Sequence, residues 1–132
     1  MYLAGMETTA RAAIDAGARL IDAIAAQDFD AVQECFAPDA RLRGLVPSTL
    51  REEEGAGAIA KRLRVWFGEV RDLELIESEL EPVSDRVRIR YRLTGDYPDE
   101  GPTVVEQCGY LHAPDGRITI LNLVCSGNRP VE

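Results

Sequence analysis

A chain of 132 residues, 45% hydrophobic and 29% charged, has the size of one domain and enough apolar content to bury a core without metals or disulfides. Its formal net charge of -8 argues against nucleic acid, which is bound by basic surfaces that displace counterions, and against an anionic membrane. Cys35, Cys108 and Cys125 are odd in number and match no zinc spacing, so free thiols in a reducing compartment are expected, with no metal or cofactor. No run is apolar enough to span a membrane, and Met1 to Thr9 has no basic stretch ahead of an apolar one, so the expected location is the cytoplasm. Residues 1–6 read as a flexible extension.

Ile14, Ala18, Ile21 and Ala25 recur at helical spacing and predict a first helix over Glu7 to Ala26. Asp28 is a good N-cap for a short second helix with Phe29, Val32 and Phe36 on one face, ended at Pro38. A short extended piece covers Ala40 to Val46. Thr49 and Glu52 form a capping-box pattern that could open a third helix, whose firm part is Ala58 to Phe67. Glu52, Glu53 and Glu54 then read as a solvated helix start, favoured by the helix dipole. Beyond Gly68 the period changes, and Leu73 to Leu80, Arg86 to Tyr97, Thr103 to His112 and Ile118 to Cys125 read as four strands. Proline, aspartate and glycine supply the turns between them. Helices first and a strand meander afterwards is an α+β layout.

That element order, with four local matches, resembles the nuclear transport factor 2-like superfamily and its SnoaL-like and ketosteroid isomerase-like branch. Leu20 to Asp30 is similar to the family's first helix and its acidic junction. Phe36-Ala37-Pro38-Asp39-Ala40 resembles the lead into the first strand. Gly57-Ala58-Ile59 resembles the third-helix motif, and Asp115-Gly116-Arg117-Ile118 the last turn. The resemblance implies a cone-shaped fold, a curved antiparallel sheet wrapped around three N-terminal helices as in a cystatin-like α+β barrel, often dimeric through the outer sheet face. It also implies where isomerase catalytic residues would fall. The tyrosine position lands on Leu20, the base near Arg43 or Gly44, and the late aspartate on Cys108 or Gly109. None of these retains the required chemistry, so that mechanism is not expected.

The candidate site rests on strand pairing. If Tyr91 lies opposite Glu106, then Ile89 and Tyr91 share an apolar inner face with Glu106, Cys108 and Tyr110. A desolvated Glu106 would then be an acid or base with Tyr91 as a hydrogen-bond donor, and Leu20, Trp66, Ile89, Cys108 and Tyr110 would line the ligand site. A one-residue change of register instead puts Glu106 beside Arg92 as a cross-strand ion pair. The alternating Arg86, Arg88, Arg90 and Arg92 have neutralising glutamates on the preceding strand and read as a solvated or dimer-forming face. His112, the only histidine, sits at a strand end, exposed or at a pocket mouth. Two functions fit: an acid–base isomerase, cyclase or dehydratase acting on a hydrophobic carbonyl compound, or a non-catalytic binding or dimerisation domain.

Overall fold

The computed structural model describes residues 2–131, with side chains from Thr9 onward. Helix α1 spans Tyr2–Ala25, so its backbone begins ahead of Glu7; the expected extension at residues 1–6 lies outside the described side chains. Ala13, Ala16, Leu20 and Ile24 are buried along one face, and these small and branched side chains let α1 lie close to the sheet. The chain leaves α1 at Gln27, where φ is 56°. The Gln27 amide donates to the Phe67 and Val70 carbonyls, both at 2.8 Å. One side chain thus ties the end of α1 to the end of helix α3 (Ala56–Phe67).

Asp28 caps α2 (Phe29–Glu34), accepting from the Ala31 amide at 3.1 Å. Phe36, expected on that helix, instead opens strand β1 (Phe36–Val46). The Thr49–Glu52 capping box is also corrected. Thr49–Glu54 is strand β2, paired with β1 through Val46↔Thr49. Ser48 at φ 71° closes the tight Pro47-Ser48 turn, and Gly55 at φ 99° redirects the chain into α3. Left-handed geometry at both points makes a hairpin where the local pattern favours a helix.

Strands β3 (Arg71–Val83), β4 (Arg86–Tyr97), β5 (Gly101–His112), β6 (Ile118–Cys125) and the short β7 (Arg129–Pro130) complete the sheet. Its order is β2-β1-β6-β5-β4-β3, with β7 on β5. The sheet is curved and open at β2 and β3. It is mixed and not wholly antiparallel, because β1 and β6 run parallel. Inward-facing Leu42, Ile89, Leu93, Val105, Leu111 and Leu121 meet Leu20, Ile24, Ile59, Leu63 and Phe67 in one core. Each fully buried large side chain contributes about 1.5–3 kcal/mol. These side chains are all buried, and the cavities described below lie at the margins of this core. No helix among the described residues is long and apolar enough to cross a membrane.

Candidate functional site

The β4–β5 register decides which side chains look inward. Tyr97 pairs with Gly101 and, further along, Tyr91 with Gln107 and Arg92 with Glu106. Asp99 (φ 66°) and Gly101 (φ 74°) are both left-handed, which makes Pro98 to Glu100 a three-residue connection and fixes the pairing. The expectation that Glu106 shares the inner face with Tyr91 is corrected by this one-residue difference. Glu106 lies on the outer face, 3.1 Å from Arg90 and 3.0 Å from Arg92. Cys108 and Tyr110 follow it outward, and Tyr110 is exposed. Leu20 and Ile89 are sealed in the core. Of the expected lining residues, Trp66 alone borders the cavity described next.

Gln107 takes the inward position. It is 1% exposed, on a strand face it shares with Thr103, Val105 and Leu111. Tyr91, also 1% exposed, donates its O–H to Gln107 Oε1 at 2.5 Å. Burial, with Cys125 and Cys108 nearby, pushes the Tyr91 phenol well above its ordinary value. It is therefore a donor, and the carbonyl end of the amide receives it. Gln107 Nε2 has no hydrogen bond within the described residues. No fully sealed side-chain nitrogen or oxygen among them lacks a partner, so Nε2 is reached from open space.

That space is a cavity of about 490 Å³ between α3 and the ends of β1, β2, β5 and β6. Val46, Trp66, Phe67 and Val105 form apolar walls, and Arg51, Arg62, Tyr97, Glu100, Gln107, Cys125 and Asn128 bring polar groups to it. Gly44 makes the wall possible, since a Cβ there would stand 3.0 Å from Trp66 Cη2. Burial, with Cys125 and Glu100 adding to it, pushes Tyr97 up to about 12. Arg62 is held by Glu53 at 2.9 Å, and Glu100 accepts from Asn128 Nδ2 at 3.0 Å. The cavity thus offers a fixed amide N–H at its wall, a protonated phenol, a carboxylate and arginines.

His112 borders a different cavity, of about 450 Å³, near the opposite end of the β4–β5 hairpin. Its Nδ1 lies 2.8 Å from Arg86 Nη1 and 3.0 Å from the Asp85 carbonyl. A guanidinium only donates, so Nδ1 accepts from Arg86 there, and Arg86 also pairs with Asp85 at 2.9 Å. With Nδ1 accepting from Arg86, the His112 proton lies on Nε2, and Nδ1 cannot also donate to the Asp85 carbonyl. The Gln107 cavity is the better candidate because it brings together a fixed amide, a protonated phenol and a carboxylate. The positions matched to isomerase residues hold no catalytic side chain. Arg43 is exposed and paired with Glu52, and Gly44 lies beneath Trp66. Among the described residues no group of histidine, cysteine or carboxylate side chains could hold a metal ion.

The pattern of the SnoaL-like domain family matches residues 18–121. Solved structures share the fold. An LEH-like epoxide hydrolase from M. tuberculosis aligns with a TM-score of 0.69 at 21% identity, covering 88% of this chain and 84% of that one. A protein from Bacillus subtilis named as a proposed isomerase gives 0.74 at 15%, covering 88% and 87%. One from Xanthomonas campestris pv. campestris, named as a proposed polyketide cyclase, gives 0.72 at 21%, covering 88% and 91%. A comparison with curated proteins gives no match.

Proposed function

The chain belongs to the SnoaL-like domain family, and on that premise we propose that it is a small-molecule enzyme holding an apolar, carbonyl-bearing ligand in the Gln107 cavity. The observation that carries this reading is Gln107 Nε2, an N–H donor fixed by Tyr91, without a partner among the described residues and bordering the cavity. A carbonyl oxygen accepting from Nε2 would be positioned and polarised. When a proton leaves the adjacent carbon, negative charge gathers on that oxygen. A preorganised donor in a site of low dielectric stabilises this charge more than it stabilises the neutral ketone. Tyr97, protonated far above neutral pH, is a second donor and not a base. Glu100 is the carboxylate that lines the cavity, and its second oxygen is the candidate proton acceptor. Enolisation of this kind begins isomerisations, cyclisations and dehydrations alike.

The test is exchange of the acetyl protons of methyl naphthyl ketone in heavy water, followed by NMR. The expected result is exchange accelerated by the protein and lowered at least tenfold by Gln107→Leu; removing one such donor typically costs about 10²–10³ in rate. Binding without any accelerated exchange would favour a second reading, a ligand-binding domain without catalysis. A specific feature supports that alternative: the deeply buried polar group in the cavity is an amide, which cannot take up a proton. We also propose that two copies pair through the outer sheet face, where Leu45 and Val124 are register partners and both exposed.

A further inference from the structure

We infer that the ligand of this cavity carries a carboxylate, recognised by Arg51 at the cavity mouth. The inference rests on reading the cavity as a ligand site and adds the chemical class of what enters it.

Strand β2 reads Thr49-Leu50-Arg51-Glu52-Glu53-Glu54, and each glutamate of the acidic run already has a cation. Glu52 pairs with Arg43 at 3.2 Å, Glu53 with Arg62 at 2.9 Å and Glu54 with Arg41 at 3.9 Å. Arg51 stands beside this run with no ion pair or hydrogen bond among the described residues. Strand alternation sends Glu52 and Glu54 outward and Arg51 inward. There it lies opposite Gly44, the residue that makes room for Trp66, and borders the same cavity as Trp66 and Gln107. Arg62 borders it too, but its charge is committed to Glu53. Glu100, the carboxylate at this cavity, belongs to the β4–β5 turn, is bonded to Asn128 and forms no ion pair with Arg51.

An uncommitted guanidinium at the mouth of a cavity with apolar walls suits a carboxylate, which it binds through two parallel N–H donors. In a chain of net charge -8, such a local cation is also what would admit an anion against the long-range field. Arg51 and Gln107 lie on strands separated by β1 and β6 and are offset by two residues along them, about 16 Å apart along the sheet at about 4.8 Å per strand and about 3.3 Å per residue. The two groups therefore address different ends of one elongated molecule, the carboxylate at the mouth and the carbonyl at Gln107. The ligand class is an apolar oxo acid.

The experiment is calorimetric titration of the full chain with methyl naphthyl ketone and with its carboxylated counterpart, acetylnaphthoate. Wild type, Arg51→Gln and Gln107→Leu are compared. Arg51 has no described partner to lose, so its variant keeps the fold. The expected result is that acetylnaphthoate binds wild type at least about tenfold more tightly than the ketone, as a charge-assisted contact implies. Added salt should shrink the advantage, and Arg51→Gln should abolish it while leaving ketone affinity unchanged. Gln107→Leu should weaken both ligands together. Equal affinities in wild type, or an advantage that survives Arg51→Gln, would overturn the carboxylate inference and leave the ketone site standing. Failure of both compounds to bind wild type would overturn the site and the inference with it.

Discussion

Tyr91 and Gln107 act as a unit, and their energetics decide which substitutions are informative. Replacing Gln107 by leucine leaves a phenol that is 1% exposed without its acceptor, at a cost of about 1–3 kcal/mol. Changing both residues, Tyr91→Phe with Gln107→Leu, removes donor and acceptor together. The double variant is expected to recover most of the stability lost by Gln107→Leu in denaturant melts, yet still fail to bind the ketone. Tyr91→Phe alone leaves the buried amide oxygen without its donor and frees the amide to rotate, so ketone affinity should fall and stability should drop by about 1–3 kcal/mol. Glu106 offers the complementary test. It lies on the outer face, half-buried between Arg90 and Arg92, away from the cavity. Glu106→Gln should leave ligand binding and heavy-water exchange unchanged; a large loss of exchange would restore it to the mechanism. The buried tyrosines also set a pH limit. Their native forms hold the proton above the ordinary value of 10.0, Tyr97 up to about 12, whereas unfolded tyrosines release it near 10. Stability should thus be flat below pH 10 and fall from there towards about 12. Denaturant midpoints across that range, read beside tyrosinate absorbance, check this. A midpoint that held constant would contradict the burial.

Single contacts at the element scale hold the helices against the sheet and the strands in register. Gln27 bridges α1 to the end of α3 through two carbonyls. Gln27→Ala is expected to lower stability by about 1–3 kcal/mol, measured as a shift in denaturant midpoint. Gly109 on β5 is stricter, since a Cβ there would lie 1.7 Å from the Asn122 carbonyl oxygen. Gly109→Ala must move backbone and should cost more than Gln27→Ala. The same scale shows what could be read in advance. Strands β4 and β6 have the bounds that their alternation predicts, and Asp28 caps α2 as its residue type suggests. Strand β2 was hidden because Thr49 and Glu52 imitate a capping box, while the left-handed Ser48 and Gly55 that make the hairpin leave only a faint sequence signal. The site was missed for a related reason. Val104-Val105-Glu106-Gln107-Cys108 carries apolar and polar side chains on both alternating faces, so composition cannot say which set is inner. The turn at Asp99 and Gly101 decides it. One signal was available: Gln107 continues the alternation of Val105, on the face that returns to Leu111.

The whole molecule combines a buried core with an outer face of interlocked charges. Glu77 and Glu106 both pair with Arg90 and Arg92, and Glu79 and Glu81 with Arg88. The arginine ladder is therefore largely neutralised, in keeping with its reading as a solvated or partner-facing surface. Beside it Leu45, Val124 and Tyr110 are 49%, 53% and 45% exposed, the apolar strip on which the proposed pairing depends. Val124→Glu should shift the chain from dimer to monomer in sedimentation while leaving ketone affinity unchanged, because that strip and the cavity occupy opposite faces of the sheet. A monomeric wild type would dismiss the pairing without touching the site. The cone fold was legible from element order and local motifs, because those depend on short-range periodicity and turn chemistry. The ligand chemistry was not, because it depends on a one-residue register and on Arg51, at the cavity, having no carboxylate partner among the described residues.

Binding of a carbonyl oxygen by the Gln107 amide, fixed by Tyr91, can be followed directly by titrating the protein with methyl naphthyl ketone and recording the side-chain amide NMR signals, with Gln107 assigned by its absence in Gln107→Leu. Saturable shifts of the Gln107 amide protons are expected, with the Gln27 amide, committed to Phe67 and Val70, left in place. Saturable binding that leaves the Gln107 signals unmoved, or no binding at all, would contradict carbonyl binding at Gln107.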